Sequence, residues 1–171
     1  GNTGGSLQMK KCIAFLLAAA LGIGAGLFAA AAFRIDKVTD NSMLPAYGEG
    51  DRILTSSFAF RSEDPRRGDV ILFPNRIYSD SGEGALMMKR VIAIPGDKVM
   101  ITDGAVYLNN RQIEEDYVFT EGISGEMAEI EIPKGRVFVL GDNRAGSTDS
   151  RSETVGLVKI DEILGKVIYK W

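Results

Sequence analysis

The chain has 171 residues, 45% of them hydrophobic, and a formal net charge of -3. That is room for one membrane segment and one compact domain, and the charge supplies no field to draw in nucleic acid. It contains no histidine and one cysteine, Cys12, which excludes a Ser-His-Asp triad, histidine-based zinc chemistry, an internal disulfide and a cysteine metal cluster.

In chain order, residues 1–8 are rich in Gly, Ser and Thr and predict no regular structure. Residues 12–33 are uncharged. At about 1.5 Å per helical residue they are long enough for the roughly 30 Å hydrocarbon core of a bilayer. Lys10 and Lys11 precede them directly, and basic flanks stay on the cytoplasmic side. A cleaved signal peptide would also begin Met-Lys-Lys and end in alanines, but its apolar region is typically about 7–15 residues, so length favours an anchor. The expected organisation is a short cytoplasmic N-terminus over 1–11, a single transmembrane helix over 12–33 and an extracytoplasmic β-rich domain over 34–171.

Beyond Val38 the pattern changes to short β-rich runs at 52–55, 69–73, 87–94, 98–101, 105–108, 129–132, 136–140 and 166–171. Gly68, Pro74, Pro95-Gly96, Asp103-Gly104, Asn109-Asn110 and Pro133-Lys134-Gly135 separate them. Asp103-Gly104 is a hairpin signal. Residues 79–85 and 121–127 read as polar loops. No helical period is sustained outside the N-terminal segment. The fold class is mainly β, one catalytic domain behind one transmembrane helix.

Three clusters carry chemistry. Ser42 sits in Asp-Asn-Ser-Met-Leu-Pro, where Pro45 holds Leu44 out of the helical region. Taken alone, a serine there is an ordinary turn residue. Lys89 lies in a β pattern whose alternation puts Met87, Lys89, Val91 and Ala93 on one face. A lysine among apolar neighbours is unusual. It is either an edge-strand charge or a desolvated amine, whose lowered pKa would let it take a proton from serine. The third cluster, residues 141–151, alternates Asp and Arg in a small-residue loop that can knit itself by Asp–Arg pairs. Its Asp142-Asn143 start is similar to a calcium loop, but the terminal glutamate is missing and Arg144 and Arg151 oppose a cation.

Taken together and in this order, the clusters resemble the boxes of the type I signal peptidase family. Ser42-Met43-Leu44-Pro45, continued by Gly50-Asp51-Arg52-Ile53-Leu54, resembles the nucleophile box. Arg67-Gly68-Asp69-Val70-Ile71 resembles the next, Lys89 to Asp97 the box of the general base, and Gly141 to Arg151 the last. The resemblance implies a membrane-bound serine endopeptidase that removes signal peptides from secreted preproteins after a small-x-small motif, with a β-rich catalytic domain on the outer membrane face. It implies Ser42 as nucleophile, Lys89 as base and Ser147 as the group orienting the amine. Asp142, Arg144, Asp149 and Arg151 would brace the site, and Val38, Met43, Ile53, Leu72, Met87 and Met88 would line pockets for small side chains. Partners would be signal peptides and membrane lipid, with no nucleic acid, no cofactor and no metal. Phe58, Phe60 and Trp171 are assigned to core packing or to the bilayer surface.

One position departs from the family pattern. Some members have a donating serine where Asp40 stands, and an ionised carboxylate cannot donate to an oxyanion. Either the oxyanion hole rests on the Ser42 backbone N–H, or Asp40 points away toward Lys37 or Arg34. Two other readings compete with the peptidase: a non-catalytic membrane-tethered assembly scaffold, and a self-cleaving Ser/Lys peptidase. The intact Ser/Lys pair opposes the first, and the apolar anchor opposes the second.

Overall fold

The computed structural model describes residues 3–61, 63–75, 85–118 and 122–171. It opens with helix α1, Thr3–Ala32, followed by eleven strands. They are β1 Phe33–Lys37, β2 Arg52–Ser56, β3 Val70–Asn75, β4 Ala85–Ala93, β5 Lys98–Thr102, β6 Ala105–Leu108, β7 Arg111–Gln112, β8 Met127–Glu131, β9 Arg136–Leu140, β10 Val158–Lys159 and β11 Gly165–Lys170. The helix extends through the Gly/Ser/Thr-rich start that predicted no regular structure. Its segment Ile13–Ala32 is long and apolar enough to cross a membrane, with mean hydropathy 2.3, and it meets the domain at its end, where Phe28 lies edge-on to Phe58 and Ala32 is buried. Phe33, expected to close the membrane helix, instead opens β1. The junction is tied down: the Ser57 hydroxyl donates to the Ala31 carbonyl at 2.9 Å and the Ser57 N–H to that of Ala32 at 3.0 Å, covering orphan carbonyls of the last helical turn.

The strands form a seven-stranded sheet, in the order β1-β2-β11-β3-β4-β9-β10, and a four-stranded sheet, β7-β6-β5-β8. All described pairings are antiparallel. Two central strands read as unbroken apolar runs because they are covered on both faces. In β9, Phe138 and Leu140 face one core cluster while Val137 and Val139 face another. In β3, Val70 and Leu72 face a cluster with Met43 and Ile53, while Ile71 and Phe73 face the opposite side. The small sheet lays Val99 and Ile101 of β5 and Val106 and Leu108 of β6 onto Phe138 and Leu140, which ties the two sheets together.

The hairpin signal at Asp103-Gly104 holds. Asp103 and Gly104 have φ of 52° and 73° between paired Thr102 and Ala105, the positive pair of a type I′ turn. Asn109 and Asn110, at 53° and 65°, make a second such turn between β6 and β7. Alternation on β4 holds through Val91 and then fails. A register shift between Val91 and Ala93 moves Ala93 into the cluster of Ile92, off the face it was expected to share with Lys89. The polar loop expected at 79–85 lies outside the described residues up to position 84, with Ala85 already in β4. Of the loop expected at 121–127, Glu121 also lies outside them and Met127 begins β8. Phe60 packs against the core, whereas Phe58 and Trp171 are partly exposed.

Candidate active site

The loop between β1 and β2 carries Ser42. Its neck is closed by paired backbone bonds, Val38 N–H to the Asp51 carbonyl at 2.8 Å and Gly50 N–H to that of Val38 at 2.9 Å. Met43 is fully buried among Val38, Ile53, Leu72 and Met88, and so pins the turn to the core. The far side is held by the loop after β9. The Asn143 N–H donates to the Ser42 carbonyl at 3.0 Å and the Asn143 side-chain amide to that of Asn41 at 3.1 Å. Ser42 is thus fixed from both sides before any substrate arrives, which a precise acyl transfer requires.

Lys89 comes from β4, opposite Ile71 of β3. It shares its face with Met87 and Val91, which pack into the apolar cluster of Ile71 and Phe73. Only 1% of Lys89 is exposed. Its Nζ lies 2.7 Å from Ser42 Oγ and donates to the Met88 carbonyl at 3.0 Å. Burial pushes the amine below the ordinary lysine range. The negative charges of Asp40, Asp149 and Asp142 pull it back, and burial prevails. The edge-charge reading of Lys89 does not fit, since β4 is an interior strand between β3 and β9.

The loop at 141–151 was expected to knit itself, and only one pair does so. Asp149 holds Arg151 through Nε at 2.8 Å and Nη2 at 2.9 Å, and accepts the Gly141 N–H at 3.0 Å. Asp142 instead takes a two-pronged grip from Arg90, at 2.8 and 2.6 Å. Arg90 stands opposite Leu140 on the neighbouring strand, which brings it beside Asp142. Arg144 binds the Glu115 carboxylate with both Nη atoms and the Gly141 carbonyl with Nε. Arg90 and Glu115 were not anticipated; no local pattern marks a residue whose ion partner is decided by strand adjacency. The Ser147 Oγ is buried and has no hydrogen-bond partner, so the expected contact with Lys89 is not made. Gly141 is required by this crowding. A Cβ there would collide with the Ser147 hydroxyl and lie 2.6 Å from the Ser42 carbonyl oxygen.

Two cavities adjoin at Thr39, Asp40 and Leu86, and one of them reaches Ser42. One, about 310 Å³, is lined by Thr39, Asp40, Ser42, Leu86, Met87, Lys89, Gly146 and Thr148. The other, about 80 Å³, is lined by Asp36, Lys37, Val38, Thr39, Asp40, Ile53, Leu72, Leu86 and Met88. Of the expected pocket residues, Val38, Ile53, Leu72, Met87 and Met88 line one or the other, and Met43 lines neither because it is spent as the loop's core anchor. Leu86 lines both and was missed, although its position on the strand, two residues before Met88, was a usable signal.

A model of the family described as "Signal peptidase, peptidase S26" matches residues 8–171. The chain belongs to this family. It is 32% identical over 137 residues to the probable signal peptidase I-1 of Synechocystis, covering 78% of this chain and 68% of that protein. It is equally identical, over 137 residues, to signal peptidase I U of Bacillus subtilis, covering 75% and 70%. Thylakoidal processing peptidase 1 of Arabidopsis thaliana is 32% identical over 154 residues, which cover 85% of this chain and 44% of that one. Among solved structures, a signal peptidase I from Enterococcus faecalis superimposes with a TM-score of 0.51 at 31% identity, over 63% of this chain and 98% of that chain. These relatives carry the expected family and mainly β fold from resemblance to observation.

Proposed function

We propose that this chain removes signal peptides from secreted preproteins at a membrane surface, with Ser42 as nucleophile and Lys89 as general base. Membership of the signal peptidase family makes it a serine endopeptidase. The assignment of the two residues rests on one observation: an amine with 1% exposure lies 2.7 Å from a serine hydroxyl in a chain without histidine.

Burial keeps a share of the Lys89 amine neutral at a pH where free lysine is charged. In that form Ser42 O–H donates to Nζ. As Oγ bonds to the scissile carbonyl carbon, its proton passes to Nζ, and the resulting ammonium returns it to the leaving amine as the peptide bond breaks. The signal peptide is left as an ester on Ser42. Water attacks the ester carbonyl and gives one proton to Nζ, which passes it to Ser42 Oγ as the ester bond breaks; the released signal peptide acid loses its own proton to solvent and leaves as the carboxylate. Asp142 and Asp149, each clamped by an arginine, hold the loop that buttresses Ser42. No step needs a metal or a cofactor. The cleft of about 80 Å³, walled by Val38, Ile53, Leu72 and Met88, suits a small apolar side chain beside the cleaved bond.

The apolar span of α1 supports the proposed localisation. A single pass through the bilayer, with Lys10 and Lys11 on the cytoplasmic side, sets the catalytic domain against the outer surface, where a translocated signal peptide ends. Tethering enzyme and substrate to one surface raises their effective concentration. The test is cleavage of a preprotein by the full chain in detergent micelles. The wild type releases a mature protein with a new N-terminus, and Ser42→Ala, with an unchanged circular dichroism spectrum, releases none. Undiminished cleavage by Ser42→Ala refutes the assignment.

A further inference from the structure

One carboxylate in the nucleophile loop takes no part in proton transfer. Asp40 precedes Ser42 by two residues, and its Oδ1 accepts the Ser42 backbone N–H at 2.8 Å. It does not turn outward to Arg34, which is bound to Asp36. The Asp40 side chain lines both the cavity over the nucleophile and the apolar cleft beside it. The other two carboxylates around Lys89 are neutralised, Asp142 by Arg90 and Asp149 by Arg151; Asp40 has no arginine partner among the described residues.

The backbone N–H of a nucleophilic serine is well placed to meet the oxygen of the carbonyl that its own side chain attacks, and such donors count among the largest contributions to acyl transfer. Here that N–H is already engaged by an anion. Burial raises the Asp40 carboxyl, but hydrogen bonds from Ser42 and the charge of Lys89 outweigh it and keep the group below the usual carboxylate range. It is therefore ionised wherever the amine can act as a base.

We propose that Asp40 is a positioning residue that caps the Ser42 amide in the resting site and is displaced by the scissile carbonyl of a bound preprotein. The inference rests on the assignment of Ser42 as nucleophile. Displacement breaks a charge-assisted hydrogen bond, and it leaves a negative charge near the developing oxyanion, so the resting cap slows the chemical step. The cap also couples reactivity to fit. A side chain entering the cleft presses on the same carboxylate that guards the amide, so a peptide that leaves the cleft empty faces a closed donor.

The experiment compares the wild type with Asp40→Ser, Asp40→Asn and Ser42→Ala, as full chains in detergent micelles with a preprotein substrate. Asp40→Ser removes the charge and supplies a hydroxyl. It is expected to raise kcat about tenfold or more with KM changed less than twofold, because the hydroxyl's hydrogen bond to the oxyanion forms mainly in the transition state. The rising limb of its rate–pH profile is expected to move to lower pH, since Lys89 loses one of the three anions that hold its proton. Asp40→Asn keeps the shape and an acceptor for the Ser42 N–H, and should show the same pH displacement with a smaller gain in kcat. If Asp40 only shapes the turn, as an aspartate bonded to the amide two residues on commonly does, the pH limb still moves with the lost charge but both variants keep the wild-type kcat on the plateau above it, and the cap is overturned. If Asp40→Ser melts early, the plateau kcat of Asp40→Asn decides: a plateau no higher than that of the wild type overturns the cap. Cleavage surviving in Ser42→Ala is a separate failure, that of the nucleophile assignment itself.

Discussion

Replacing Lys89 by methionine separates the amine's chemistry from its packing. Methionine nearly fills the volume of the lysine stem, so the site at 1% exposure keeps its packing and loses its base. A positioned general base contributes about 10²–10⁴ in rate, and when nucleophile and base act as one unit, deleting either removes about 10⁶. On the proposed assignment, with Nζ 2.7 Å from Ser42 Oγ, the pair acts as such a unit, and kcat should fall by at least about 10⁴. The same substitution carries a signature in stability. The folded Lys89 amine titrates below its unfolded value of about 10.4. Between those two values the unfolded chain binds the extra proton, so folding grows more favourable as pH rises and levels off above about 10.4. The wild type should therefore gain stability over Lys89→Met across that window, at no more than about 1.4 kcal/mol per pH unit, the limit for one proton. Preprotein cleavage measured beside thermal melting from pH 7 to 11 supplies both readouts. Substantial residual cleavage would refute Lys89 as the base. A stability difference that stays flat, or that falls with pH, would refute a buried amine.

Two further variants probe the surroundings. Ser147→Ala deletes a buried hydroxyl that has no partner, and an unsatisfied buried group costs about 1–3 kcal/mol, so the variant should melt at or above the wild-type temperature; a fall of more than about 1 kcal/mol in chemical denaturation would reveal a bond that the resting site does not show. Gly141→Ala forces a methyl group onto the Ser147 hydroxyl and the Ser42 carbonyl, with an expected loss of about 1–3 kcal/mol and a reduced kcat, because the collision displaces the nucleophile loop itself; wild-type kinetics in this variant would mean that the loop relaxes without moving Ser42.

Much of the fold was legible because its determinants are local. β5, β6 and β9 sit where short apolar runs predicted them, and the turns between β5, β6 and β7 fall on Asp-Gly and Asn-Asn pairs with positive φ. β1 was missed because Phe33 completes a long apolar run, and the residues after it, with Arg34, Asp36 and Lys37 around a single Ile35, carry too few apolar side chains to mark a strand. β10 is two residues long, too short for any period to register. The β4 bulge was invisible for a different reason: alternation says which residues share a face only while the register lasts.

The sequence by itself determined the chemistry available to this protein. An absence of histidine, one serine in a proline-restricted loop and one lysine in an apolar strand leave few ways to build a hydrolase. What the tertiary structure decided is which of these groups meet. Ser42 and Lys89 are 47 residues apart and come together only because β3 and β4 pair beneath the nucleophile loop. Arg90 reaches Asp142 through strand adjacency rather than through the Asp/Arg rhythm of the loop. Met43, an expected pocket residue, is consumed as an anchor. Asp40 was readable as an anomaly, but its direction was not. Composition fixes which groups can donate or accept, whereas a hydrogen bond of 2.8 Å depends on angles that only the folded loop sets.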